Sequence, residues 1–174
     1  MKPNAKQVYE ALHDVLYEIR IFLETTRETI CRNEVIPALL ESRLLHTRNL
    51  RYFFNRLQSE RDQSKRDEDD VLADDFAFPH QALNLKDPYP KRLNKLLAHI
   101  TYERYQHRCQ EWPLADTVLP VLDTLETFLQ HLINDYLDGC DTRYRPPVQD
   151  YFIVQVREIK TMIVNMTSEP KHRQ

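Results

Sequence analysis

Glycine is almost absent from this chain of 174 residues, which contains only Gly139. Tight β-hairpin turns, bulges and phosphate-binding loops need positive φ angles, which glycine adopts without steric penalty. The sequence accordingly contains neither the G-x-G-x-x-G fingerprint of dinucleotide-binding proteins nor the Walker phosphate loop. This scarcity argues against a β-rich fold and against the usual enzymes that depend on ATP or NAD, so no cofactor is expected.

Apolar residues recur at steps of three and four along five segments, the pattern of one-sided helices packed on a common core. Asn33 is the expected cap of the second helix, and Pro120 either begins or bends the fourth. The sequence predicts one all-α domain over residues 1–174, an up-and-down bundle of four to five helices with a frayed tail from about residue 167. The predicted helices run approximately from Ala5 to Arg32, from the cap at Asn33 to Leu57, from near Pro90 to just before Pro113, from Leu114 to Leu137 and from Pro147 to Met166.

The stretch between the second and third predicted helices, about residues 58–90, is longer than ordinary helix–helix connections. Prolines interrupt any long helix within it. A short helical piece is predicted for Asp70–Phe76, with Phe76 and Phe78 as apolar anchors. Because its apolar side chains need burial and its carboxylates need a cation, this segment is expected to dock on the bundle near His46.

The cysteines and the hydropathy of the chain indicate a cellular compartment. Cys31, Cys109 and Cys140 are far apart and form no C-x-x-C pair, so neither a redox motif nor a zinc ribbon is present. Free thiols are typical of a reducing compartment. The first residues form a charged stretch rather than an apolar signal core, and no apolar run reaches the roughly 20 residues of a membrane span. The sequence therefore predicts a cytoplasmic protein without a membrane partner.

The charge distribution singles out the third predicted helix. The net charge is −3, whereas general nucleic-acid binders carry a basic excess. Between residues 91 and 108, however, Glu103 is the single acid and basic residues outnumber it. Such a helix provides a local positive footprint within an acidic protein. The bases are Lys91, Arg92, Lys95, Arg104 and Arg108.

A candidate catalytic pair lies on this same helix. Arg92 and His99 are seven residues apart and therefore point to nearly the same helix face, about 10 Å from each other. An arginine followed by six residues and a histidine in a small helical bundle resembles the R-x(4–6)-H motif of the HEPN superfamily. The resemblance covers this motif and the helical layout. Members often have a polar residue directly after the arginine, where this chain has Leu93, with Asn94 one position later.

The resemblance implies a metal-independent endoribonuclease, or an RNA-binding relative without activity, that forms a homodimer with two such motifs meeting at the interface. Many members act as toxins or in phage defence. In such a site His99 would take a proton from a ribose 2′-hydroxyl, and Arg92 would stabilise the charge that develops on the phosphate. The neighbouring Asn94, Lys95 and Tyr102 are supporting candidates, since amides and cations bind phosphate and aromatic rings stack on unpaired bases.

Two polar residues, Arg43 and His46, occupy the inner stripe of the second predicted helix, where apolar residues are expected. Polar groups at such positions must be satisfied or functional. One interpretation is a buried network in which they pair with Asp70 or Asp74 of the insertion. The other is a divalent-metal set of a metal-dependent bundle enzyme, formed by His46, Asp70, Asp74 and His99.

A third function class also fits the sequence. The acidic balance of the chain is compatible with a non-enzymatic helical adaptor that binds a protein partner. Such a partner would contact the insertion or an exposed face of the bundle. The position of Arg92 and His99 discriminates between the classes: a groove favours the ribonuclease, and burial of His99 under apolar side chains favours the adaptor.

Overall fold

A computed structural model describes residues 5–32, 36–57, 59, 70–98, 111–137 and 150–168, and of residues 5, 95–98 and 150 only the backbone. Within these ranges all regular elements are helical, which confirms the all-α class and fits a helical bundle. No helix in the described ranges is both long and apolar enough to cross a membrane. The helices are α1 (Ala5–Arg32), α2 (Pro37–Asn55), α3 (Tyr89–Ala98), α4 (Leu114–Thr117), α5 (Leu119–His131) and α6 (Asp150–Ser168).

The bundle is organised around the pair formed by α1 and α2, which pack along each other. The short connection between them makes the two helices antiparallel neighbours. α6 packs on both α1 and α5, and α3 packs on α2. The core between these helices is apolar and includes the fully buried side chains of Leu12, Ile19, Phe22, Leu50, Phe54, Leu122, Leu125, Phe128, Val156, Ile159 and Ile163.

The start of α2 differs from the sequence prediction. Ile36, with an extended backbone and no side-chain cap, immediately precedes the helix, and Pro37 is in its first turn. The prediction that Asn33 caps α2 is therefore wrong, because the helix begins three residues beyond the position an Asn33 cap requires. Pro37 suits this position, since its fixed φ fits the first turn and it lacks an N–H that would be left unpaired.

The fourth predicted helix is divided in two. Val118, with φ −114° and ψ −47°, belongs to neither helix and separates α4 from α5. Pro120 lies in the first turn of α5, where its missing N–H leaves no hydrogen bond unmade. Pro120 therefore acts as a helix start. The end of α5 continues into a wider π-helical turn, Leu132–Tyr136, in which the Leu137 N–H donates to the Leu132 carbonyl at 2.9 Å. Gly139, predicted to end this helix, lies outside the described residues.

The insertion docks on the bundle, as the sequence predicts, but at the C-terminal end of α2 and not at His46. Leu72 and Phe76 are fully buried, and Phe78 is 4% exposed. A 3₁₀ turn, Ala73–Phe76, holds this segment. On the bundle side, the Nε2 of His131 lies 3.0 Å from the Phe76 carbonyl oxygen. The segment is thus anchored by buried apolar side chains and by a hydrogen bond to α5.

The end of this 3₁₀ turn has a positive φ angle at a residue other than glycine. Ala77 adopts the left-handed conformation with φ 52° and ψ 23°. Its N–H donates to the Asp74 carbonyl at 3.1 Å. A left-handed non-glycine residue costs roughly 1–2 kcal/mol, which the burial of the neighbouring phenylalanines offsets.

An ionic cluster joins α5 to α6. Glu126 accepts a 2.6 Å hydrogen bond from Arg157 and a 2.9 Å bond from Lys160, which also lies 2.7 Å from Asp123. The bonds from Arg157 and Lys160 lower the pKa of Glu126 below its ordinary 4.5. The bond to Asp123 raises the pKa of Lys160 above 10.5. The stabilisation by this cluster is therefore complete between pH 4.5 and pH 10.5, the ordinary pKa values of the two groups.

We expect Glu126→Gln to lower the free energy of unfolding at pH 7 by about 1 kcal/mol, the magnitude of a partly exposed ionic network. The stabilisation by Glu126 is lost as the pH falls through its lowered pKa, because both folded and unfolded chains then hold the proton. The difference between variant and parent should shrink accordingly in urea titrations between pH 7 and pH 3. Glu24→Gln, in an exposed pair with Arg20, is the control; a deficit that stays constant with pH would contradict the assignment.

Candidate functional site

Arg92 lies on α3 with its side chain half-buried. Its guanidinium carbon is 5.6 Å from the centre of the Tyr89 ring, a cation–π contact. Tyr89 is itself buried and packs beside Trp112, with ring centres 5.5 Å apart. Leu93, the next residue, is 1% exposed and fixes the orientation of the helix. The guanidinium is thus supported on an aromatic surface and remains accessible from solvent.

The guanidinium of Arg92 forms no salt bridge with any acid in the described ranges. Asn94, two residues further along α3, is exposed. Lys95 belongs to α3. His99 and Tyr102 lie outside the described residues, so the pairing of Arg92 with His99 remains a prediction from their spacing.

His46 is buried on α2 and pairs with a residue of α1. Its Nδ1 lies 2.6 Å from the Glu18 carboxylate oxygen Oε2, which also accepts a 3.2 Å bond from the Asn49 amide. A carboxylate only accepts, so the His46 Nδ1 is the donor. The ring of Tyr17 meets the imidazole edge-on at 6.3 Å between centres. One acid therefore joins two consecutive turns of α2 to α1.

The predicted pairing of Arg43 and His46 with the acids of the insertion is wrong. Asp70 accepts hydrogen bonds from the Tyr52 hydroxyl at 2.8 Å and from Arg56 at 3.0 Å. Arg56 directly follows α2, ten residues beyond His46, or about 15 Å along the helix axis. The insertion therefore docks at the C-terminal end of α2, where its phenylalanines are buried in the core. His46 forms its hydrogen bond with Glu18 instead.

The structure also does not bring the described members of the predicted metal set together. His46 is bound by Glu18, Asp70 is bound by Tyr52 and Arg56, and Asp74 is part of the 3₁₀ turn. In the ranges that the structure describes, no group of three or more histidine, cysteine, aspartate or glutamate side chains is arranged to hold a metal ion. The fourth member, His99, is outside those ranges.

Arg43 is a buried cation at the centre of the inner face of α2. Its side chain is 2% exposed, and its Nε and Nη1 atoms are buried without a hydrogen-bond partner among the described residues. Burial lowers the pKa of Arg43 to about 10, so the guanidinium is still charged at neutral pH. An unpaired charge in the interior opposes folding, because it gives up hydration without compensation.

We therefore expect Arg43→Met to stabilise the protein by about 1–4 kcal/mol, since methionine keeps the apolar stem and removes the charge. Thermal and urea unfolding measure the change. Arg20→Met, at an exposed position of α1, is the matched control and should change stability little. A strongly destabilised Arg43→Met variant would contradict this expectation and would indicate an anionic partner for Arg43 in the folded protein.

Glu18 was not identified from the sequence, although a signal for it exists. It lies three residues after Val15 and four before Phe22, which are both on the buried stripe of α1. An acid at that spacing faces the core and needs a polar partner. Recognising the partner requires knowing that α2 brings His46 and Asn49 to the same level of the bundle.

No protein-family model, no curated protein and no solved structure matches this chain.

Proposed function

We propose that this chain is a HEPN-like ribonuclease that cleaves RNA without a metal ion, as a homodimer in which Arg92 and His99 act together. One observation carries the proposal: the Arg92 guanidinium is accessible, supported by the Tyr89 ring and without an ionic partner in the described ranges. An arginine that is oriented but unpaired is suited to bind phosphate through two parallel hydrogen bonds.

The proposed reaction uses two protein groups. His99 accepts the proton of a ribose 2′-hydroxyl, and the resulting oxygen attacks the adjacent phosphorus. Arg92 donates to the phosphate oxygens and stabilises the additional negative charge of the five-coordinate transition state. The bond to the 5′-oxygen of the following nucleotide breaks, and that oxygen receives a proton. The products are a 2′,3′-cyclic phosphate and a 5′-hydroxyl.

The support of Arg92 by an aromatic ring matters for this role. A guanidinium that is already positioned loses less conformational freedom on binding than one on a free side chain. The basic residues of the same helix would add salt-dependent attraction to the RNA backbone. The biological settings that the resemblance implies, a toxin or a component of phage defence, both employ RNA cleavage of this kind.

Incubation of the purified protein with total RNA, with and without EDTA, tests the proposal. We expect cleavage in both samples, with cyclic phosphate ends on the fragments. Activity that disappears in EDTA and returns with Mn²⁺ would overturn the metal-independent mechanism and favour a metal enzyme. Absence of both cleavage and RNA binding would overturn the proposal as a whole and favour the protein-binding adaptor.

A further inference from the structure

A cavity of about 520 Å³ opens between α1 and α2. Its walls come from three separate segments: α1, α2 and the docked insertion, which contributes Val71. The volume falls within the roughly 300–1,000 Å³ of small-molecule sites. Its rim is held in place by Tyr52, whose hydroxyl donates to Asp70 of the insertion.

The two walls carry opposite charges that do not neutralise each other. Asp14 of α1 and Arg48 of α2 both line the cavity. Neither forms a salt bridge with a residue of the described ranges, so the cavity separates them by more than the 4.0 Å reach of an ion pair. Opposite charges that face one cavity without meeting leave both available to a ligand.

The second carboxylate of the α1 wall, that of Glu18, is already hydrogen-bonded within the protein. Glu18 also lines the cavity, but its Oε2 already accepts hydrogen bonds from His46 and Asn49. These two bonds hold the carboxylate against the wall. Glu18 therefore shapes the cavity, whereas Asp14 and Arg48 supply the unpaired charges.

The remaining surface of the cavity is apolar. Val15, Leu50, Phe53 and Val71 contribute to its lining. Leu50 and Phe53 are buried core residues of α2, which gives the floor a fixed shape. An apolar floor between two oppositely charged walls favours a ligand that combines an apolar group with one positive and one negative charge.

We propose that this cavity binds a small zwitterion of the amino-acid class, a free apolar amino acid or a short apolar peptide. Its ammonium group pairs with Asp14, its carboxylate pairs with the guanidinium of Arg48, and its side chain lies on Leu50 and Phe53. A nucleotide fits less well, because its phosphates would meet the two carboxylates of the α1 wall. A simple cation leaves Arg48 unpaired, and a simple anion leaves Asp14 unpaired.

A binding screen with the full chain tests this proposal. The probes are the free apolar amino acids and the dipeptides of valine, leucine and phenylalanine, with thermal shift as the first readout and calorimetry as the second. We expect at least one probe to bind. Its methyl ester and its N-acetyl derivative, which each lack one charge, should bind about tenfold more weakly, a difference of 1.4 kcal/mol. No binding by any probe would overturn the proposal, as would equal binding of the blocked derivatives.

Two variants assign the charges within the cavity. Asp14→Asn should abolish the preference for a free ammonium group, and Arg48→Gln should abolish the preference for a free carboxylate. Glu24→Gln and Lys6→Gln are the matched controls, because they change the same charges at exposed positions of α1. Weakening by the controls as large as that by the cavity variants would indicate a general charge effect and would overturn the assignment.

Discussion

Replacing His99 by alanine is expected to lower the rate of RNA cleavage by about 10²–10⁴-fold, the typical contribution of a general acid or base. The change removes the group that accepts the 2′-hydroxyl proton and leaves Arg92 to bind phosphate. RNA binding should therefore persist while cleavage is lost. Initial rates on a labelled single-stranded RNA measure the first effect, and a filter-binding titration measures the second.

The matched control for His99→Ala is His80→Ala, because His80 is an exposed histidine of the insertion. It should retain the parental rate. Arg92→Lys should also impair cleavage, because an ammonium group cannot form the paired hydrogen bonds of a guanidinium, whereas Arg20→Lys should be neutral. An active His99→Ala variant with an unchanged circular dichroism spectrum would exclude His99 as the catalytic group.

Replacing Phe76 by alanine is expected to lower the free energy of unfolding by about 3–5 kcal/mol, as for other buried aromatic residues. Phe76 is fully buried, and its ring centre lies 5.9 Å from that of Phe128 and 5.7 Å from that of Tyr136. Alanine would leave a cavity between the insertion and α5. Urea unfolding followed by circular dichroism measures the loss.

The control for Phe76→Ala is Tyr151→Ala, at an aromatic residue of α6 that is 57% exposed. We expect the loss in free energy of unfolding for this control to be several-fold smaller than for Phe76→Ala. A loss of under about 1 kcal/mol for Phe76→Ala would contradict the docked insertion, since a ring on a loosely held segment contributes little.

The sequence by itself determined the all-α class, the bounds of α1 and the burial of the apolar residues of the insertion. α1 spans Ala5–Arg32, the bounds that its apolar period predicts. The burial of Phe76 and Phe78 was likewise predicted, because an apolar side chain in a polar segment has to leave water wherever the core lies. These properties depend on neighbours along the chain, and a period of 3.6 residues can be recognised without knowing the fold.

The tertiary structure alone decided which polar groups meet. The sequence marked His46 as a polar residue in the core, yet its partner is Glu18, 28 residues away on another helix. The sequence also marked the acids of the insertion, but Asp70 reached Arg56 rather than His46. A hydrogen bond or ion pair forms only when the two polar atoms are within about 3–4 Å of each other. That distance depends on how two helices are positioned relative to each other, which their individual sequences do not specify.

The cavity between α1 and α2 follows the same physical rule. Asp14 and Arg48 are ordinary surface charges in the sequence, and Val71 is one apolar residue in an irregular stretch. Their common location exists only after the helices pair and the insertion docks, since Asp14, Arg48 and Val71 are far apart along the chain. Local periodicity therefore specified the elements, and the packing of those elements created the site.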